Sequence, residues 1–109
     1  MVTVTFTTEG EKLSLRLEGH AGYAEIGKDT ICSAVTILAY NVAQYVKMAE
    51  ENGDLLSKPE IKLDGGDTYI LCEPAEEIRL EMSNMFSFAH LGYQLLQHNY
   101  PEYVRLIES

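Results

Sequence analysis

The chain begins with two short segments in which hydrophobic and polar residues alternate. In the first, Val2, Val4 and Phe6 alternate with threonines, and in the second, three leucines between positions 13 and 17 alternate with polar residues. A period of two places one side of a strand in the core and the other side in solvent. Because Glu9-Gly10-Glu11 separates the two segments, the pattern predicts a β-hairpin.

A second pair of alternating segments lies in the middle of the chain. Ile61 and Leu63 precede the sequence Asp64-Gly65-Gly66-Asp67, and Cys72 ends the apolar positions that follow it. The two glycines suit a tight turn, so these segments predict a second hairpin. The tail from Glu102 to Glu108 also alternates and predicts a short final strand.

Two longer segments change to a helical period. From Thr30 to about Asn52 hydrophobic residues recur at steps of three and four, which predicts a helix with one side in the core. The expected core positions are Ile31, Val35, Leu38, Val42, Tyr45 and Ala49. A second helix is predicted to begin at Pro74, with two acids in its first turn, Glu76 and Glu77. This helix is apolar on more than one side, which indicates either a broad core face or a contact with a second subunit.

The predicted order of elements is ββαββα, followed by the short C-terminal strand. This order is typical of an α+β two-layer sandwich, in which two hairpins form one mainly antiparallel sheet and both long helices pack on one of its faces. We expect residues 1–109 to form a single domain, since no repeat or linker interrupts them. The second face of such a sheet needs a cover, which favours a homodimer.

The net charge of the chain limits the classes of partner that we expect it to bind. The 17 acidic residues outnumber the 8 basic ones and give a net charge of −9, which disfavours direct binding of nucleic acid through its phosphates. The same excess attracts a basic partner, although acidic charge also serves solubility alone. No apolar run is long enough for a membrane span and the N-terminus resembles no signal peptide, so we expect a cytoplasmic protein without membrane contact.

Neither a disulfide nor a metal site is expected. A cytoplasmic setting disfavours a bridge between the two cysteines, Cys32 and Cys72, and Cys72 lies in a predicted strand where a core position is expected. His90 and His98 are eight residues apart on the predicted second helix, without a Cys or Asp partner at the spacing of zinc ligands. We therefore expect no cofactor.

The candidate chemistry lies between the first hairpin and the first helix. His20 follows the second strand, and Cys32 lies three residues after Asp29, a favourable N-cap for the helix. The N-terminal turn of a helix stabilises a thiolate, and an imidazole can take the proton of the thiol. The loop between them holds glycines that permit unusual backbone angles and movement over a site, namely Gly19, Gly22 and Gly27.

Each of these residues also has a simpler explanation. A cysteine near a helix start is often a small buried hydrophobe, and a histidine at a strand end is often only a polar surface residue. Thr36, four residues after Cys32, either lines a site or bonds back to the carbonyl of Cys32. The residues alone leave the catalytic and the structural interpretations open.

The segment from Gly19 to Asn41 closely resembles the signature of the ribosomal-processing cysteine protease family, Prp. That signature is Gly-His, a glycine-containing loop, and Gly-x-Asp-x-x-Cys followed by small residues and a hydroxyl residue. Here it falls on Gly19, His20, Gly22, Gly27, Asp29, Cys32, Ser33, Ala34 and Thr36. Thr36 stands where serine is common in the family. Chain length and element order are also similar, so the resemblance covers nearly the whole chain.

The resemblance implies a cysteine endopeptidase with a Cys32–His20 dyad, whose site is shaped by Gly19, Gly22, Gly27, Asp29, Ser33 and Thr36. The thiolate would attack a peptide carbonyl, and the imidazole would protonate the leaving amine. N–H groups near the helix start would hold the oxyanion, and that of Cys32 is one candidate. The implied substrate is the short N-terminal extension of a large-subunit ribosomal protein, which has a basic tail. The resemblance also implies a cut after an aromatic residue within this extension, whose removal would mature the bacterial ribosome.

Two functions of other classes remain as alternatives. A non-catalytic ribosome-associated module would bind the same basic tail and tolerate Cys32→Ser. A redox-sensing thiol at Cys32 would need a resolving cysteine, and Cys72 is the other cysteine of the chain.

Overall fold

The computed structural model describes residues 1–25 and 29–108, which form one five-stranded sheet and two α-helices. Along the chain these elements are β1 (Val2–Glu9), β2 (Lys12–Glu18), α1 (Thr30–Glu51), β3 (Glu60–Asp64), β4 (Asp67–Cys72), α2 (Arg79–Asn99) and β5 (Val104–Glu108). The predicted α+β class is confirmed.

The strands lie in the order β3-β4-β2-β1-β5. Both predicted hairpins are present, and β2 also pairs with β4 in an antiparallel register that places Leu15 opposite Ile70. The final strand β5 pairs with β1 in the parallel direction, with Val2 opposite Val104. The sheet is therefore mainly antiparallel, with one parallel pair at the β5 edge.

One face of the sheet forms the core together with both helices. Val4, Leu15 and Ile70, from three neighbouring strands, are each 0% exposed and belong to a cluster that also holds buried side chains of α1 and α2. Burial of one such side chain stabilises the fold by roughly 1.5–3 kcal/mol. The alternation of hydrophobic residues along the strands thus selects the face on which both helices pack.

Helix α1 begins at Thr30 and ends at Glu51, close to the predicted bounds. Its centre differs from the prediction, because Leu38 and Tyr45 are only partly buried while Ala39 and Ala43 are buried in the core. Leu38 instead lies beside α2, so close that a Cβ on Gly92 would be 2.8 Å from its Cδ1. The small alanines let the helix approach the sheet, and the larger side chains turn towards the second helix.

The predicted start of the second helix at Pro74 is wrong. Residues Glu76–Ile78 form a short 3-10 helix, and α2 begins at Arg79. The chain before it pairs with the segment that follows α1: the N–H of Ala75 donates to the carbonyl of Asp54 (2.8 Å), and Leu55 bridges Pro74. These contacts keep the backbone extended at Pro74 and delay the helix.

The two helices are tied together near the start of α1. The hydroxyl of Tyr93 on α2 is buried and donates a hydrogen bond of 2.9 Å to the carbonyl of Val35. Burial raises the pKa of this phenol above its usual range, so it remains a donor. Val35 is one turn beyond Cys32, and this bond therefore fixes the helical turn that carries the candidate nucleophile.

In the described ranges 1–25 and 29–108, neither helix has the length and apolar character required to cross a membrane.

Candidate active site

A cavity of about 490 Å³ lies between the end of β2 and the first half of α1. Its walls are mainly apolar and are formed by His20, Gly22, Ala24, Asp29, Cys32, Ser33, Thr36, Ile37 and Tyr40. The structure thus brings most of the predicted site residues to one place. Gly19 lies beside His20 outside the lining, and Gly27 falls outside the described residues.

Asp29 organises the N-terminal end of α1. Its Oδ1 accepts the backbone N–H of Cys32 at 2.8 Å, and its Oδ2 accepts those of Tyr23 at 2.9 Å and Ala24 at 3.3 Å. Asp29 is therefore the N-cap of α1, as the sequence predicts, and it also clamps the loop after His20 to the helix. The side chain is only 5% exposed, and burial alone would raise its pKa. The backbone donors outweigh burial and hold the pKa of Asp29 below its usual value.

The expected role of the Cys32 N–H in an oxyanion hole is not supported, because this donor is already bound to the Asp29 carboxylate. The next donor along the helix is also occupied, since the N–H of Ser33 binds the carbonyl of Asp29 at 3.0 Å. The hydroxyl of Ser33 donates to the same carbonyl at 3.0 Å. An N-cap side chain commonly accepts from the third helical residue, so the sequence already contained the signal for this arrangement.

Cys32 and Cys72 lie in different environments, and both are free thiols. Cys32 is partly buried at the wall of the cavity. Cys72 on β4 is 1% exposed, as predicted for a core residue, and burial raises the pKa of its thiol to about 12. At neutral pH Cys72 is therefore protonated and inaccessible, whereas Cys32 faces a space that a ligand can enter.

The backbone of His20 is held through its neighbour Gly19. The N–H of Gly19 donates to the carbonyl of Gly66, in the turn between β3 and β4, at 2.9 Å. Gly19 has a φ of +89°, and a Cβ there would lie 2.6 Å from the carbonyl oxygen of Met1. A residue with a side chain does not fit this close approach. The imidazole of His20 and the thiol of Cys32 line the same cavity, and no hydrogen bond joins these two described side chains.

Sequence reasoning missed the apolar end of the cavity. Ile37 and Tyr40 follow Cys32 by one and two turns of α1, and they are 56% and 45% exposed. Large apolar side chains at outward positions of a helix form a surface for a ligand or partner more often than single scattered ones do. The only available signal was their spacing from Cys32 along the helix.

A second missed contact anchors the loop after His20. The ring of Tyr23 packs edge-to-face against Tyr103 with a centroid distance of 5.3 Å, and against Tyr100 at 6.2 Å. Such aromatic pairs contribute about 0.5–1.5 kcal/mol beyond the area they bury. The loop is therefore attached at its beginning to the segment between α2 and β5, which no local pattern reveals.

The described part of the chain lacks a set of side chains that could bind a metal ion. Residues 1–25 and 29–108 contain no group of three or more His, Cys, Asp or Glu side chains that could hold a metal ion.

Comparison with known protein families identifies the family of this chain. A family model described as cysteine protease Prp matches residues 1–105. The chain belongs to the Prp family. It is accordingly a cysteine protease.

Solved structures share the fold over the whole chain. The essential ribosomal processing protease Prp from Staphylococcus aureus, in complex with a covalently linked product peptide, has a TM-score of 0.76 at 23% identity, with 100% of both chains covered. Its complex with a substrate peptide gives 0.69 at 20% identity, again with 100% of both chains covered. The protein SMU.848 from Streptococcus mutans gives 0.63 at 27% identity, covering 100% of this chain and 96% of that one. A search of curated proteins gave no significant match.

Proposed function

We propose that this protease cleaves a peptide bond with Cys32 as the nucleophile and His20 as the general base, in the processing of a ribosomal protein. The observation that carries the proposal is the environment of the two thiols. The sequence contains two cysteines, and Cys72 is buried with a raised pKa. Cys32 is thus the residue available to a cysteine protease.

The choice of His20 follows from the same cavity. The chain contains three histidines, and His20 lines the cavity with Cys32, whereas His90 and His98 lie on α2 and line other depressions. A general base must reach the proton that it takes, directly or through one water molecule. Peptide binding would bring the imidazole and thiol into this range, since catalytic hydrogen bonds often tighten only in the complex.

The reaction proceeds in two displacements. His20 takes the thiol proton of Cys32, and the Sγ thiolate attacks the carbonyl carbon. The imidazolium then gives this proton to the leaving amine, so that a thioester forms as the peptide bond breaks. Water attacks the thioester while His20 accepts its proton, the acid product leaves, and His20 returns the proton to the Cys32 thiolate. The oxyanion donors lie outside the Cys32 and Ser33 N–H groups, because Asp29 occupies both.

The substrate we propose is the basic N-terminal tail of a large-subunit ribosomal protein, cut after an aromatic residue. Two features support it. The apolar end of the cavity at Ile37 and Tyr40 fits an aromatic side chain, and the net charge of −9 attracts a basic tail. The Staphylococcus aureus relative is itself a ribosomal processing protease. We accordingly propose that the reaction takes place in the cytoplasm.

The test is mass spectrometry of a peptide that spans the extension and mature start of the host ribosomal protein. The peptide is incubated with the protein and with its Cys32→Ala and His20→Ala variants, and binding is measured in parallel. We expect one cut that both variants lose while peptide binding persists. Binding without a cut in the unaltered protein would contradict the proposal and favour a non-catalytic binding module.

We further propose that the protein forms a homodimer through the outward face of its helices. On α2 this face carries Phe88, Leu91 and Leu95, which are 78%, 55% and 63% exposed, and on α1 it carries Met48 at 50%. Phe88 and Met48 line one depression between the two helices, and an exposed apolar surface of this kind is suited to an interface between two copies. The open face of the sheet gives less support, since polar residues such as Thr5 and Arg16 line it. Light scattering of the protein and of Phe88→Asp distinguishes a dimer that the variant loses from a monomer.

A further inference from the structure

The turn between β3 and β4 lies directly against the imidazole of His20. A Cβ built on Gly66 would be 2.9 Å from Nε2 of His20, 3.4 Å from Cε1 and 3.6 Å from Cδ2. Real Cβ atoms do not approach other heavy atoms below 3.0 Å. The ring therefore occupies the space that any side chain at position 66 would take.

We propose that Gly66 is a positioning residue for His20. Because Gly66 has no side chain, the imidazole can lie against its backbone at the wall of the Cys32 cavity, and we call this contact the seat of the ring. This inference rests on the proposed role of His20 as general base. The β3–β4 turn, which is far from His20 in the sequence, would thus determine the direction in which the imidazole points.

The turn is bonded to the residue before His20 and to two neighbouring strands. The carbonyl of Gly66 accepts the N–H of Gly19, the residue before His20, at 2.9 Å. At the next residue of the turn, the carboxylate of Asp67 accepts hydrogen bonds from Nη1 of Arg16 at 3.0 Å and from Nζ of Lys62 at 2.6 Å. One turn thus fixes both the backbone beside His20 and the ring of His20, and it is itself tied to β2 and β3.

The position of the ring matters because His20 is otherwise exposed at the end of a strand. An imidazole without a seat samples rotamers that point into solvent, away from Cys32. Misplacement of a catalytic group by about 1 Å can cost on the order of 100-fold in rate. A small shift of this ring is therefore expected to lower turnover much more than it alters the peptide-binding cavity.

The glycines of the chain offer matched controls for Gly66→Ala. Gly66 has a φ of +81°, so the substitution introduces both backbone strain and contact with the ring. Gly10, in the turn between β1 and β2, has a φ of +60° and no heavy atom within 4 Å of a built Cβ. Gly65, the neighbour of Gly66, also has nothing within 4 Å and no positive φ. Gly10→Ala thus reproduces the strain, and Gly65→Ala reproduces a change in the same turn, without touching His20.

The first experiment measures kcat and KM for peptide cleavage in the three variants. We expect Gly66→Ala to lower kcat about 10- to 100-fold with KM within about twofold of the unaltered protein. Gly10→Ala and Gly65→Ala should keep the kcat of the unaltered protein. Equal kcat values for Gly66→Ala and Gly10→Ala would overturn the proposal. If both are unchanged, the substitution does not displace the ring, and if both are lowered, backbone strain alone explains the loss.

The second experiment needs no activity. In protein with isotope-labelled histidine, NMR should show a nuclear Overhauser effect between the ring protons of His20 and the α-protons of Gly66. The His20 ring signals should shift in Gly66→Ala and stay in place in Gly10→Ala. Absence of this effect in the unaltered, folded protein overturns the proposal even if Gly66→Ala does not fold. Its presence without any peptide cleavage would establish the seat of His20 while refuting the proposed function.

Discussion

The carboxylate of Asp29 accepts the backbone N–H of Cys32 at 2.8 Å and, through its other oxygen, the N–H of Tyr23 at 2.9 Å. One side chain therefore joins the start of α1 to the loop that follows His20. The same bond occupies the N–H of Cys32, so this donor is not available to an oxyanion. Asp29 thus fixes the backbone around the proposed nucleophile.

Substitution of Asp29 should show how much its carboxylate stabilises the fold, both as the N-cap of α1 and as the clamp on the loop after His20. Asp29→Ala loses the cap and the loop clamp, and we expect a loss of about 1–2 kcal/mol in the free energy of unfolding. Asp29→Asn keeps a carbonyl oxygen for the Cys32 N–H but cannot accept a second N–H through its amide nitrogen, so its loss should be smaller. Urea denaturation measures both values. Glu50→Ala, which removes an exposed carboxylate near the other end of α1, serves as the control, and an equal loss there would contradict the assignment.

The capping role also predicts a dependence on pH. The backbone donors hold the pKa of Asp29 below its usual value of 3.8 although burial opposes them. A carboxyl whose pKa is lower in the folded protein stabilises the fold fully above the unfolded pKa, and this stabilisation is lost as the pH falls through the folded pKa. The difference in unfolding free energy between the unaltered protein and Asp29→Asn should therefore be constant near neutrality and shrink below about pH 4. A difference that stays constant down to pH 2.5 would refute this account of the cap.

Gly19 should tolerate substitution worse than other glycines with positive φ. An added Cβ would lie 2.6 Å from a main-chain oxygen, that of Met1, which cannot turn aside as a side chain can. Gly53 has a comparable φ of +73° and nothing within 4 Å of its built Cβ. We expect Gly53→Ala to cost about 1–3 kcal/mol through backbone strain and Gly19→Ala to cost clearly more. Chemical denaturation measures both costs, and equal values would contradict the prediction by showing that the main chain at Met1 moves aside freely.

The two thiols should differ in reactivity. Iodoacetamide at neutral pH is expected to modify Cys32 in the folded protein and to spare Cys72, because burial excludes the reagent and raises the pKa of Cys72 to about 12. Peptide mapping by mass spectrometry locates the modification, and unfolding in urea should expose both sites. Rapid labelling of Cys72 in the folded state would contradict the choice of Cys32 as the reactive thiol. It would instead favour the alternative in which Cys32 and Cys72 form a redox pair.

Features encoded by neighbouring residues were predictable from the sequence. The start of α1 follows from Asp29 and the helical period after Thr30, and the hairpins follow from alternation and turn glycines. The candidate pair His20 and Cys32 could be proposed because one strand, one loop and one helix carry both residues.

Features that depend on contacts between distant segments were not predictable in this way. Helix α2 starts late because Ala75 bonds to Asp54, and the loop after His20 is held by Tyr103. The contact of Gly66 with the His20 ring joins a turn to a site far away in sequence. Periodicity and capping rules describe one segment at a time, so they carry no information about such pairs.

In the proposed mechanism Cys32 forms a covalent bond with the substrate. Mixing the protein with a cleavable peptide of the ribosomal tail, quenching in acid within one turnover and measuring the intact mass tests it directly. We expect the mass to rise by that of the acyl fragment, mapped as a thioester on Cys32, and to remain unchanged in Cys32→Ala. An adduct that persists in Cys32→Ala, or cleavage of the peptide by that variant, would contradict the account.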